Sequence, residues 1–443
     1  MSAHQDTPSD QFEDTAQFAD VTSVADAAAR AGGNTHVAAL ASGVGPRPPG
    51  SSSEGEAAAY LAAALGNIGL PAARLPAHSP KLSGLQELAF ALASLAALLV
   101  AVLLPPLGLV LLLGLIGLML ADMYGRIRIS DWLPAGQSVN VLSIVPPMES
   151  EVRRLIVTAT LDTGQIGLLS RKHWGFAYAW LHVVILVSQA LAVVISVAVL
   201  ARGNDSLAPL FAIPGLMLIV TLALLGEREQ NGSYSPGAIT NASGIAALIR
   251  LAEKTVERPP RWIEVWFLGV GAATVGSAGI SEFLRRNTFD PDTTYFVHLQ
   301  SPGGGTPVIP ENAGAGLRGT PATPLLTWIF ESVRGDLIDT DIRTIKRLPF
   351  ATQAHATHRA GYQSIVVAGV DAQNRIPLLD DAEDLPYQVH ETSIDDTVRF
   401  LGSAIEALDR EVAARAMLAR TAASVQDTTE TPVVAGDLPT GDE

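Results

Sequence analysis

The sequence predicts an α/β domain whose mostly parallel mixed sheet is covered by helices on both faces and interrupted by two transmembrane helical hairpins. Three observations carry this reading. Runs rich in Val and Ile alternate with helical patterns along the polar part of the chain, as in crossover units. Four long apolar runs stand in two back-to-back pairs. Hydrophobic residues make up 48 % of the 443 and charged residues only 16 %, with a positive mean hydropathy, the balance that lipid-facing runs create.

The first pair of runs occupies 85–104 and 107–124. At about 1.5 Å of rise per residue, each can cross a hydrocarbon core of about 30 Å. Pro105 and Pro106 fall between them and, unable to continue a helix, predict the tight turn of a hairpin. The second pair occupies 175–201 and 207–226, around the polar turn RGNDS at 202–206. Lys81, Arg126, Arg128, Arg171, Lys172 and Arg228 flank the outer ends of both hairpins, whereas the opposite side offers Arg202 beside Asp205. The positive-inside rule therefore places the termini and the polar segments in the cytoplasm.

The polar segments, 36–84, 125–174 and 227–423, must share one side if they build one sheet, and insertions of two spans each satisfy that. Residues 1–35 are acidic and polar, with no basic stretch ahead of an apolar one; they read as disordered, without a signal peptide. The tail 424–443 reads the same way. The net charge of −15 argues against nucleic acid as a partner. The absence of Cys excludes disulfides and thiolate metal sites. Lys occurs only at Lys81, Lys172, Lys254 and Lys346, and Arg, Ala and Gly are abundant. That usage points to a GC-rich bacterial genome, hence a bacterial plasma membrane.

Within the polar segments, an Ala-rich stretch predicts a helix at 56–69, and Val/Ile runs predict strands at 139–145 and 155–159. Ile245, Leu248, Ile249 and Ala252 share one helical face, which predicts a helix at 242–255. Further strands are expected at 263–270, 295–299 and 364–368, and helices at 277–286, 324–333 and 393–414. In the third apolar run Gln189 lies near mid-depth and His182 shallower, both read as bonding to a neighbouring helix. Pro214 and Gly215 predict a kink in the fourth.

Two stretches bear on chemistry. SPGAITNASG at 235–244 and GAATVG at 271–276 resemble the M28 aminopeptidase family, where the first reads GA-x-D-NASG and the second GAEE-x-G. The resemblance continues in order through VGPRPPGS at 44–51, EAAAYL at 56–61, SVNV at 138–141, AGYQSI at 360–365 and HETSIDD at 390–396. It implies the three-layer sandwich of a zinc aminopeptidase.

It also implies a site. The His and Asp of the family's H-x-D pattern fall on Thr160 and Asp162, and the metal-bridging Asp falls on Thr240. The Glu pair, base and ligand, falls on Ala273 and Thr274. The strand-end Asp falls on Gln300, and the final His on Ala354, one place from His355. Zinc takes imidazole, thiolate or carboxylate ligands at about 2.0–2.3 Å, and a metal-bound water needs a general base. Hydroxyls, methyls and an amide supply neither. The expectation is a degenerate metal site, no cofactor, and a catalytically inactive protein in the lipid bilayer. It would act as a binding or scaffold module, with a protein or peptide ligand in the old cleft.

Two alternatives stay open. One is a membrane-bound metallo-aminopeptidase whose zinc is held by displaced ligands, with Asp162, His355 and His358 as candidates. The other is a transporter accessory subunit acting through the spans. His298 and His390 read as satisfied core or surface histidines. SPGGGT at 301–306 lacks the Lys-Ser/Thr ending of a phosphate loop and reads as a surface loop.

Overall fold

The computed structural model describes residues 35–429, apart from 81–83, 125, 128, 133–134, 150–152, 171–174, 203–204, 315–318, 338 and 351. The disorder expected before residue 35 lies outside the described residues. Helix α1 (Thr35–Ala38) runs into a π turn at Ala39–Val44. Helix α2 (Ser52–Asn67) follows, its first turn capped by the Ser51 side chain, which accepts from the Glu54 N–H.

Four helices are then long and apolar enough to cross a membrane. They are α3 (Leu85–Leu103), α4 (Pro105–Met123), α5 (Leu181–Arg202) and α6 (Ala212–Asn231). The last is led in by a 3-10 turn, so that its apolar stretch runs Leu207–Asn231. They pack on one another through Phe90, Leu98, Leu112, Ile185, Ala192 and Leu218, while Leu92, Val110, Val194, Leu216 and Val220 face outward. A Cβ on Gly108 would lie 2.2 Å from the Ala101 Cα, so α3 and α4 meet there backbone against backbone. The two prolines are not the turn. The break is Leu104 alone, and Pro105 and Pro106 open α4, where a missing N–H breaks no ladder. Pro214 likewise falls in the first turn of α6.

The fourth apolar helix does not stop at Gly226, where its apolar run ends. Its last turns enter the α/β domain. Glu227 accepts from the Leu168 N–H (2.8 Å), and Arg228 pairs with Asp380 (3.1 Å) and donates to the Gln165 carbonyl (3.0 Å). Arg228 also lies over the Tyr178 ring, and Glu229 accepts from the Gly84 N–H (2.8 Å).

The remaining helices are α7 (Ser243–Glu257), α8 (Ala278–Arg286), α9 (Pro324–Asp336), α10 (Ala354–Arg359) and α11 (Glu391–Thr429). Helix α11 runs past the tail boundary expected at 424, and 430–443 lie outside the described residues.

The strands are β1 (Ala72–Pro80), β2 (Ala135–Val145), β3 (Arg153–Thr160), β4 (Ile263–Val270), β5 (Thr294–Gln300), β6 (Thr306–Pro310), β7 (Asn312–Ala313), β8 (Thr320–Pro321), β9 (Arg343–Ile345) and β10 (Gln363–Val370). Eight form one sheet in the order β1-β2-β4-β3-β5-β10-β6-β9, while β7 and β8 pair separately. Strands β4, β3, β5 and β10 run parallel; β1 against β2, β2 against β4 and β6 against β10 are antiparallel.

The sheet joins all three polar segments. Strand β1 precedes the first apolar pair, β2 and β3 lie between the pairs, and the others follow the second. Alternate residues of β4 serve two cores: Ile263, Val265 and Phe267 on one face, Trp266, Leu268 and Val270 on the other. Leu61 of α2, Ile245 of α7, Ile329 of α9 and Leu401 of α11 cover the first face. Ile280 and Phe283 of α8 cover the second.

Candidate functional site at the strand ends

Strands β3, β4 and β5 end together at Thr160, Val270 and Gln300. The crevice outside the carboxyl ends of parallel strands is where open α/β sheets hold ligands. Just beyond two of these strands, Ala272 and Ser301 take left-handed backbone conformations (φ 45° and 51°), each costing about 1–3 kcal/mol. Strain of that kind persists only where surrounding bonds hold it.

Asp162 supplies many of those bonds. It is fully buried, and its carboxylate accepts from the Ala273 N–H (2.7 Å), the Thr274 N–H (2.9 Å) and the Thr274 hydroxyl. Its carbonyl accepts from the Asn241 side chain (2.7 Å). Burial pushes its carboxyl above the usual range, against those donors.

Thr240 sits in the π turn Ala238–Ala242 ahead of α7. Its hydroxyl lies 2.7 Å from Asp384 and 2.6 Å from the Asn241 side-chain oxygen. The N–H groups of Ile239 and Thr240 also donate to Asp384, at 2.6 Å and 3.1 Å. Burial raises Asp384 to about 6 in spite of these bonds. Sequence reasoning missed Asp384, which lies in the acidic stretch DDAED with no motif around it.

It also missed the role of Arg47, read only as part of a resemblance. Its guanidinium, 1 % exposed, donates to the carbonyls of Leu161 (3.0 Å), Leu40 (2.7 Å), Gly45 (2.5 Å) and Gly237 (3.3 Å). Burial lowers it to about 10, while Asp384 and Asp162 pull it back up. Glu54 accepts from the N–H groups of Ala272 (2.7 Å) and Gly50 (2.8 Å) and from the Ser138 hydroxyl (2.8 Å). Burial first, and the nearby Asp162 charge second, raise it to about 7.

Beside this charged web stand two tiers of neutral groups. In the lower tier Thr158 and His298 are register partners across β3 and β5, 2.8 Å apart, and the other His298 nitrogen lies 3.0 Å from the Thr357 hydroxyl. Burial holds His298 near pKa 3, so it is a neutral, satisfied core histidine. The upper tier is one step along the same strand faces. It holds Thr160, Gln300 and Gln353, which precedes Thr357 by one helical turn. Gln353 donates to the Thr160 hydroxyl (3.0 Å), and Gln300 donates to the Ser301 hydroxyl (3.3 Å).

Of the expected positions, Asp162, Ala273, Thr274, Thr240 and Gln300 belong to one web, closed by the Ser301 hydroxyl on the Thr240 carbonyl (3.4 Å). Thr160 stands beside it. Ala354 does not join: it packs among Val308, Leu348 and Val366, and the side chain reaching Thr160 is Gln353. The half-buried His355 turns toward Thr320 (3.3 Å), and His358 is exposed. His390 is exposed at the rim, its N–H on the Gly303 carbonyl (2.9 Å). Among the described residues, no three or more His, Asp or Glu side chains group so as to hold a metal ion.

No family model and no curated protein matches the sequence. Solved structures do match its chain path. A glutaminyl cyclase from Bacteroides thetaiotaomicron, bound to N-acetylhistamine, matches with a TM-score of 0.50 and 12 % identity over 86 % of this chain and 97 % of its own. An aminopeptidase from Aneurinibacillus sp. strain AM-1 matches with 0.50 and 11 %, over 87 % and 93 %. The fold is aminopeptidase-like.

A zinc aminopeptidase from Bacillus subtilis also matches, with a TM-score of 0.49 and 11 % identity over 86 % and 94 %. These neighbours correct the expectation of no cofactor: zinc enzymes are among the chains of this shape. The residues at the expected positions do not fit that metal. Both Asp162 oxygens already accept donors, and hydroxyl, amide and methyl groups stand where further ligands would be needed.

Proposed function

We propose that this protein is a membrane-anchored binding module, in which an aminopeptidase-like domain holds a peptide or protein ligand in its strand-end cleft without hydrolysing it. The observation that carries the reading is the closure of Asp162 by Ala273 and Thr274. A carboxylate that accepts three donors inside the protein is a structural group, and no free base stands at the positions where a peptidase would need one.

The four apolar helices cross the membrane as two hairpins. Exposed Tyr124, Trp132 and Trp180 near the domain-side ends of the helices fit the interfacial aromatic preference. One sheet built from all three polar segments requires an even number of spans in each insertion. The flanking cations support a cytoplasmic domain.

The test is an assay of the full chain in lipid nanodiscs with aminoacyl fluorogenic amides, with and without added zinc. Hydrolysis is expected to stay at the buffer rate. Turnover that disappears in Asp162→Ala would refute the reading. Sidedness is checked in the natural Cys-free background: an impermeant maleimide added to intact cells should label Ser206→Cys and spare Glu253→Cys, and the reverse pattern would invert the topology.

A further inference from the structure

The ligand class can be read from which polar groups of the cleft are already engaged; this step rests on the binding-module reading above. We propose that the upper tier grips an uncharged carboxamide, the peptide group of a ligand with no charged terminus at that point, between Gln353 and Gln300.

The charged groups around the cleft have internal partners. Arg47 is held by four carbonyls, Asp162 by Ala273 and Thr274, Asp384 by Ile239 and Thr240, and Glu54 by Gly50, Ser138 and Ala272. A charged ligand group entering here would lose its water and find these charged groups already committed to internal hydrogen bonds. A neutral group faces no such penalty, provided its own donor and acceptor are met.

The upper tier meets them. Gln353 is 5 % exposed, and its Oε1 has no hydrogen-bond partner among the described residues, although its Nε2 is committed to Thr160. A buried acceptor left open at a strand-end crevice is a place for a ligand N–H. Gln300 uses one N–H on Ser301, and its amide carries a second. Thr160, which holds Gln353, and Gln300 extend the Thr158–His298 register of adjacent parallel strands, about 4.8 Å apart, so both glutamines stand at neighbouring strand ends. The saturated lower tier beneath keeps these side chains from turning into the core.

The experiment uses the full chain in nanodiscs and three probes, with affinities read by calorimetry or saturation-transfer NMR: N-acetyl-alanine amide (neutral), N-acetyl-alanine (anionic) and alanine amide (cationic). The neutral probe should bind at least about tenfold more tightly than either charged one. Gln353→Leu should weaken the neutral probe by about tenfold, the loss of one buried hydrogen bond. Gln353→Glu should move the preference to alanine amide, a change that a purely structural role for Gln353 would not produce. Failure of the neutral probe to bind, equal or tighter binding of a charged probe, or an unchanged affinity in Gln353→Leu would overturn the proposal. Cleavage of alanine amide would instead sink the non-hydrolytic reading, and the blocked probes would still report the preference separately.

Discussion

The polar groups of the four apolar helices and those of the cleft are satisfied in opposite ways. In the helices, hydroxyls donate to the carbonyl one turn back: Ser94 to Phe90, Ser188 to Val184, Ser196 to Ala192 and Thr221 to Met217. The described exceptions are Gln189, which donates across to Ser94 (2.7 Å), and Gln86 at the start of α3, which donates across to Asp122 near the end of α4 (2.7 Å). In the cleft, Arg47 reaches Leu161 and Gly237, Asp162 reaches Ala273, and Asp384 reaches Thr240. The helix bundle is therefore held by shape, with few polar ties between helices. The cleft is held by charges that join segments far apart in sequence, and losing one strands its partners in a dry interior.

The contrast would break first at Arg47. Arg47→Met should cost about 3–5 kcal/mol, because it leaves four carbonyls without their donor and the buried Asp162 and Asp384 without a nearby positive charge. Thermal unfolding of the reconstituted protein checks this, and a loss under about 1 kcal/mol would mean the cleft is no more charge-dependent than the spans.

The second effect is a pH dependence. Glu54 titrates near 7 in the fold rather than near 4.5, and Asp384 near 6 rather than near 3.8. Between those values the folded state holds protons that the unfolded chain has lost, so stability falls as pH rises from about 4 to about 7. Calorimetry should find a melting temperature higher at pH 5 than at pH 7.5, by an amount equivalent to about 2 kcal/mol. Glu54→Gln should flatten that slope whatever it does to absolute stability; a slope of the opposite sign would show the acids to be stabilising as anions.

The smallest effect sharpens the other side of the comparison. Gln189→Leu removes the bond to Ser94 between two of the apolar helices and should cost about 1 kcal/mol or less in detergent unfolding. A larger loss would reveal a polar organisation of the bundle that the local hydroxyl pattern does not suggest.

Much of the frame was legible in the sequence because it depends on local periodicity. The strand expected at 263–270 is Ile263–Val270, and the helix expected at 242–255 is Ser243–Glu257. Strand β1 was not anticipated, because Pro76 and Pro80 argue against a strand unless it lies at an edge, where it does lie. Helix α11 outran its expected end because it keeps a helical pattern after its apolar face fades. In the cleft, motif positions located Thr160, Asp162, Thr240, Ala273, Thr274 and Gln300. The last position rested on the spacing that the resemblance implies and chose Ala354, whose neighbour Gln353 donates to Thr160. A count along the chain cannot tell which of two adjacent residues faces the sheet. Asp384 was invisible because its partners, Ile239 and Thr240, lie about 145 residues away and no local pattern links them.

The fourth apolar helix, entering the domain through Glu227, Arg228 and Glu229, makes its junction with the domain rigid rather than flexible. A tether of loose chain would let the domain tumble above the bilayer and sample every direction. Here any swivel must tear apart three docked side chains at once, so on the membrane-anchored reading proposed above the mouth of the cleft would keep a fixed bearing and height relative to the lipid surface. On that reading a binding partner would have to arrive along that bearing, and the membrane itself would act as a filter on what can be captured.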